Sequence, residues 1–188
     1  GKDPEFAVPR DWCVALTLAI RQRVMDNWMA TTKRIYATDV KRVYYLSMEF
    51  LIGRLLRDTM LNLDMTDLVR EALDDLNVDL DEILHEEPDA ALCNGGLGRH
   101  AACFMDSLSP LGIAAYGYGI RYEHWLFRQH IHEGWQIEEA EEWLIQGENP
   151  WSLSRLESRY EIPFGGTVDP EAADGHCWHP FEQVLAIG

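Results

Sequence analysis

The chain has 188 residues, 47% of them hydrophobic, and a formal net charge of -16 at pH 7. That apolar share is enough for one globular core or a large piece of one, and the acidic balance argues against nucleic acid and anionic lipid as partners. No segment has the uninterrupted apolar length of a membrane span and no signal peptide is visible, which points to the cytoplasm and to no membrane partner.

Gly1 to Phe6 reads as an expression-vector remnant, which leaves residues 7–188 for the fold. From Pro9, a first-turn residue, Trp12, Ala15, Leu16, Ala19, Ile20, Val24 and Trp28 recur at helical spacing, so a long helix running to about Tyr36 is expected to bury that face. The stretch Lys41 to Met48 is nearly continuous in apolar, β-branched and aromatic residues and suits an interior strand, with Glu49 just past its end. Leu51 to Leu61 reads as a short helix carrying Arg54 and Arg57. Thr66 to Leu76 reads as another, with Thr66 as its cap and Leu68, Val69, Ala72, Leu73 and Leu76 buried. Leu80 to Glu86 makes a third, and Pro88 ends it.

The next stretch, Cys93-Asn94-Gly95-Gly96-Leu97-Gly98-Arg99, feeds an amphipathic run through Ala101, Ala102, Phe104, Met105 and Leu108. Three glycines in four positions remove the Cβ atoms that keep a ligand off the backbone, and the helix start offers unpaired N–H groups and a positive dipole end, a combination that suits an anion. The spacing is neither G-x-G-x-x-G nor a P-loop, and a tight turn capping a helix explains it equally well. After Ser109-Pro110 and Gly112, Ile113 to Ile120 is a second strand, and its alternating Tyr and Gly point to close approach of another backbone or a ligand beside the loop. Phe127 to His132 and Gly134 to Ile137 read as extended, Glu138 to Leu144 as an acidic helical turn, and Arg159 to Val168 with Glu182 to Ile187 as antiparallel strands. The chain stops inside the apolar run Ala186-Ile187-Gly188, which reads as a truncation.

Several constellations invite chemistry. Cys13, Cys93, Cys103 and Cys177 contain no C-x-x-C pair and read as free thiols. Cys93, His100 and Cys103, and His176, Cys177 and His179, lack the C-x₂₋₄-C or H-x₃₋₅-H spacing of zinc sites, so no metal is expected. His124, His130 and His132 read as surface or satisfied side chains. Trp125, Trp135, Trp143 and Trp151 with Tyr116, Tyr118 and Tyr122 offer faces for sugar stacking or simply core area, and Arg121 is placed to pair with Glu123 in a cleft or in a structural bridge. Lysine is scarce: Lys2, Lys33 and Lys41 are the whole complement, none near the glycine loop in sequence. No Ser-His-Asp arrangement suggests itself.

Taken together, Tyr44 to Arg54, the loop Asn94 to Arg99 with Ala101 to Phe104, and Ala115 to Glu123 resemble the α-glucan phosphorylases, the family of the glycogen, starch and maltodextrin enzymes. Pro9-Arg10-Asp11, Gly134-Trp135-Gln136 and Asn149-Pro150-Trp151 extend the likeness over nearly the whole chain. The resemblance implies an α/β fold: the N-terminal part of a two-domain Rossmann-like (GT-B type) glycosyltransferase, with a long N-terminal helix and a β-rich C-terminal portion, residues 7–188 being a partial N-terminal domain. It implies phosphorolysis of an α-1,4-glucan by phosphate to glucose 1-phosphate, pyridoxal phosphate as cofactor, and a homodimer at full length. By the same likeness Glu49, Asn94, Gly95, Gly96 and Leu97 line the substrate and phosphate cleft, and Leu51 lies near the cofactor. A non-catalytic glucan-binding or assembly module is the alternative.

The chain departs from the family pattern at Cys93, where Gly is usual, and at His100, where Leu is usual. The cofactor lysine and the basic phosphate-binding residues belong to a C-terminal part of the family that this chain does not match, so the catalytic set is incomplete. No covalently bound pyridoxal phosphate and no activity are expected of the chain alone. Thr32 and Lys33 replace the paired glutamines of the animal nucleotide site, of which Tyr36 remains, and this implies a bacterial type of enzyme without AMP control.

Overall fold

The computed structural model describes residues 2–93, 95–122, 127–140, 143–144, 149–169 and 177–188. They fall into two compact units, Gly1–Trp151 and Ser152–Gly188.

The first unit opens with a 3-10 turn, Pro4–Phe6, and a 30-residue helix α1, Pro9–Thr38. Pro9 takes a first-turn position where its missing N–H costs nothing, Asp11 accepts from the Val8 N–H at 3.0 Å, and Asp39 ends the helix in a left-handed conformation. The buried face is Cys13, Thr17 and Ile20, flanked by Trp12 and Leu16. It is offset from the expected stripe: Ala15, Ala19 and Trp28 are exposed, because the core takes the edge of α1 that carries Cys13, Thr17 and Ile20.

Those partners are α2 (Leu56–Asn62), α3 (Thr66–Asp74) and α4 (Leu80–His85). Leu56, Met60, Val69, Leu73, Leu80 and Ile83 close the core with α1. Full burial of such a side chain contributes about 1.5–3 kcal/mol, so this cluster carries most of the unit's stability. Leu68, Ala72 and Leu76 are exposed instead of buried, since α3 shows the core only its Val69–Leu73 edge. Thr66 is the first helical residue and not the cap; its Oγ is buried without a hydrogen-bond partner.

Two strand pairs lie beside this layer. Strand β1, Val43–Leu46, runs parallel to β4, Ala115–Tyr118, with Tyr44 opposite Tyr116 and Leu46 opposite Tyr118. Parallel pairing demands a long crossover, which α2 to α4 and α5 (Gly96–Leu108) provide. β1 is shorter than expected and not interior: Tyr44 and Leu46 are exposed while Val43 and Tyr45 are half-buried, because α5 covers one face only. The expected helix from Leu51 begins at Leu56; Phe50–Leu51 instead form β2, which pairs antiparallel with β3, Ala91–Leu92. Gly53, at φ +82, makes the turn between strand and helix.

Strands β5, Phe127–His132, and β6, Trp135–Ala140, form a hairpin through Glu133-Gly134, both at positive φ as a two-residue primed turn requires. Glu138 to Ala140 are therefore strand, not the start of a helical turn; cross-strand pairing with Gln129, Arg128 and Phe127 overrides their helix propensity.

The second unit is a β ribbon. β7 (Arg159–Phe164) pairs antiparallel with β10 (Glu182–Ile187), and β8 (Thr167–Asp169) with β9 (Cys177–His179). Arg159 to Val168 is punctuated at Gly165-Gly166, both at positive φ, and a Cβ at Gly166 would lie on the His179 carbonyl. The Trp178 indole donates to the Gly165 carbonyl across this break at 2.6 Å.

Candidate functional site

The site residues expected from sequence meet around the two-residue ladder of β2 and β3. Register places Phe50 opposite Leu92 and Leu51 opposite Ala91, so the chain leaves β3 directly into Cys93 and the glycine turn. Ser47 organises the approach: its hydroxyl donates to the Glu49 carbonyl at 2.8 Å and accepts from the Glu49 N–H at 3.2 Å. This bends the chain between β1 and β2 and leaves Glu49 half-buried. The Cys93 thiol is pushed up by burial, with a hydrogen bond from the Gly95 backbone acting in the opposite direction and the Glu49 carboxylate pushing it up further. Glu49 and the turn thus share one electrostatic neighbourhood.

Helix α5 begins at Gly96, with Gly95 as an extended cap. Gly95, Gly96 and Leu97 are exposed, and a Cβ at Gly95 or Gly96 would meet nothing within 4 Å. Gly98 is different. A Cβ there would stand 2.3 Å from the Cys93 Cβ, 2.9 Å from its sulfur and 3.2 Å from the Leu51 nitrogen, so α5 sits against β2 and Cys93 only because position 98 has no side chain. Arg99 donates to the Leu51 carbonyl at 3.4 Å from the same turn. Together these contacts bring Glu49, Leu51, Gly95, Gly96 and Leu97 into one neighbourhood. Asn94 lies outside the described residues.

The alternating Tyr and Gly of β4 serve this junction. The Phe50 ring would lie 3.1 Å from a Cβ at Gly117 and 2.9 Å from one at Gly119, so the glycines admit the ring next to Leu51. Tyr45 meets Phe50 edge-on at 6.2 Å and packs on Phe104 at 5.6 Å. His100 packs edge-on against Phe104 at 4.6 Å. On the opposite face Tyr44 stacks on Tyr116 at 5.7 Å with Tyr118 beside it, away from the glycine turn.

Other candidates fall apart. Among the described residues no group of three metal-ligating side chains forms; Cys93 is buried and Cys103 exposed. His130 faces Glu139 at 3.2 Å across the hairpin. The Arg121 guanidinium sits over the Trp143 ring at 5.6 Å. Glu123, His124, Trp125 and His176 lie outside the described residues. A cavity of about 540 Å³ opens between the last turns of α1 and the end of α5, lined by Trp28, Ile35, Met105, Leu108 and Tyr116 among others, but no glycine-turn residue lines it.

Sequence reasoning missed Glu87. It is buried, and its carboxylate accepts from the Leu55 and Leu56 N–H groups at 3.0 Å and from the Trp151 indole at 2.9 Å. Its partners lie 31 to 64 residues away, and its place before Pro88 resembles any helix-ending glutamate.

The family model described as carbohydrate phosphorylase matches residues 73–188. The chain is 47% identical over 186 residues to the brain form of glycogen phosphorylase from Homo sapiens, covering 99% of this chain and 22% of that protein. The liver form from Bos taurus and the muscle form from Ovis aries match with the same identity and coverage. The chain spans about a fifth of the length of these curated relatives, 22%. The glycine turn, the Glu49 bend and the close-packed Tyr-Gly strand accordingly stand in a chain that belongs to the carbohydrate phosphorylase family.

Proposed function

We propose that this chain forms one wall of the catalytic cleft of an α-1,4-glucan phosphorylase, an enzyme that uses inorganic phosphate to release the terminal glucose of glycogen or a maltodextrin as glucose 1-phosphate. The observation that carries the reading is the convergence of Glu49, Leu51 and the Gly95–Leu97 turn on one short ladder, in a chain 47% identical to glycogen phosphorylases. In this reading the amides at the start of α5, with Asn94, face phosphate or sugar oxygens. A helix end stabilises an anion by about 0.3–1 kcal/mol at the surface, so the turn positions the phosphate and leaves most of its neutralisation to other groups. Glu49 is an acceptor and repels phosphate, which suits it to a glucose hydroxyl. The parallel pairing of β1 with β4 across a helical crossover supports a Rossmann-like, GT-B type of domain, and a homodimer at full length follows from the same family reading.

Family members use pyridoxal phosphate, whose Schiff base needs a lysine. Lys2 is paired with Asp11, and Lys33 and Lys41 are exposed on the far half of α1 and just beyond it. None of the three adjoins the junction, so these residues do not fit a covalently held cofactor. The chain by itself is expected to be inactive, with Leu51 as a neighbour of the cofactor in the longer protein.

The test is phosphate-dependent release of glucose 1-phosphate from maltoheptaose by the full-length protein carrying this segment. Release is expected, and Glu49→Gln is expected to lower kcat/KM about tenfold, the order of one polar contact in the cleft. Full-length protein that binds maltoheptaose in calorimetry but releases no glucose 1-phosphate would instead establish the non-catalytic glucan-binding or assembly module.

A further inference from the structure

We propose that Glu87 is a positioning residue for the junction of Glu49, Leu51 and the glycine turn. Its role is to lock the two chain segments that carry those residues. The site it serves rests on the reading above; the mechanical role rests on geometry alone.

Ladder β2–β3 is two residues long on each side, far too short to hold its register unaided. Four residues after β2, across Gly53, the chain enters Leu55 and Leu56; four residues before β3 stands Glu87. The carboxylate joins these points, accepting from the Leu55 N–H and taking the Leu56 N–H on both oxygens. The backbone therefore forms a closed ring. One side is the ladder, the opposite side is the Glu87 clasp, and the connecting arms are residues 52–54 and 88–90. Inside the ring a Cβ at Gly53 would sit 3.9 Å from the Asp89 carboxylate, so the arms lie against each other. With the clasp shut, Leu51 and the exit of β3 into Cys93 have little freedom; with it open, the ladder and the contacts of α5 with Leu51 and Cys93 remain.

The energetics favour a clasp over a generic packing residue. Glu87 is 5% exposed, and a buried carboxylate is costly unless its lone pairs are satisfied. No ion pair joins it to a described cation; three N–H donors serve it, two of them at the start of α2 and the third on Trp151. Hydrogen bonds to a charged group are about twice as strong as neutral ones; all three donors reach Oε1, and the Leu56 N–H reaches Oε2 as well. A glutamine of the same shape removes the charge and, with its oxygen in the Oε1 place, sets an amide N–H against the Leu56 N–H. The shape survives while the clasp weakens.

The experiment is amide hydrogen exchange and ¹H–¹⁵N spectroscopy of this chain. Glu87→Gln is compared with Leu73→Ala, a core truncation remote from the ladder. In Glu87→Gln the ladder amides of β2 and β3 are expected to exchange about tenfold faster, the equivalent of one charged hydrogen bond, and the Gly95 and Gly96 resonances to move. In Leu73→Ala, at equal or greater loss of stability, those glycine resonances stay in place. Glycine resonances unchanged in Glu87→Gln overturn the proposal and leave Glu87 a stabilising residue only. If Glu87→Gln does not fold, native-state exchange of the unmodified chain decides: Leu55, Leu56 and the ladder amides opening as one unit support the clasp, and a ladder that opens before Leu55 and Leu56 overturns it. Neither readout involves phosphorolysis, so failure of the cleft reading and failure of the clasp are separable.

Discussion

At the scale of single residues, the contact between Cys93 and Gly98 shows how closely α5 is set against the exit of β3. The space a side chain at 98 would need is already filled by Cys93. Gly98→Ala is therefore expected to destabilise the chain by about 1–3 kcal/mol, the usual range for overpacking, in urea unfolding. Adding Cys93→Gly should recover part of that loss, and the shortfall from additivity measures the contact. Cys13 offers a second residue-scale prediction. Burial, then the charge of Glu87, pushes its thiol up to about 11 from an ordinary 9.0. A folded state that holds its proton more tightly than the unfolded chain is favoured fully below the ordinary value and loses that advantage as pH rises toward 11. The urea midpoint is expected to fall between pH 9 and 11, and to fall less steeply in Cys13→Ala.

At the scale of elements, sequence periodicity located most segments and failed where pairing partners were far off in the chain. The first half of α1, the three short helices and α5 were legible because apolar residues recur at helical spacing. Leu51 read as the start of a helix since nothing local reveals its partner Ala91 forty residues away; Glu138 to Ala140 read as helix since their strand partners lie across a tight turn. The glycine turn was legible as a helix entry, and its link to Glu49 came from family likeness rather than spacing. Glu87 was not legible at all, because a buried acceptor is defined by its donors. The core helices are testable directly: Leu56→Ala or Met60→Ala, both with 0% exposure, should each cost about 2–5 kcal/mol in urea unfolding. Leu61→Ala on the same helix, 61% exposed, should stay within about 0.5 kcal/mol.

At the scale of the whole molecule, the dominant fact is how much apolar surface the chain shows. Leu46, Tyr118 and Ile120 on the β1–β4 side, Ile131 and Trp135 on the hairpin, and Tyr160, Ile162 and Phe164 on the ribbon are all exposed. Large apolar side chains left exposed in this number favour association. Sedimentation velocity is expected to show self-association that grows with protein concentration and weakens on replacing Leu46 and Tyr118 with polar residues; a strictly monomeric chain at all concentrations would contradict this. The four cysteines add a practical consequence. Cys13 and Cys93 are buried, while Cys103 on α5 and Cys177 on β9 are exposed, one in each compact unit. A thiol-directed dye pair should thus label the native chain once per unit with no engineered cysteine, turning two incidental side chains into a ruler for the distance between the two units in solution.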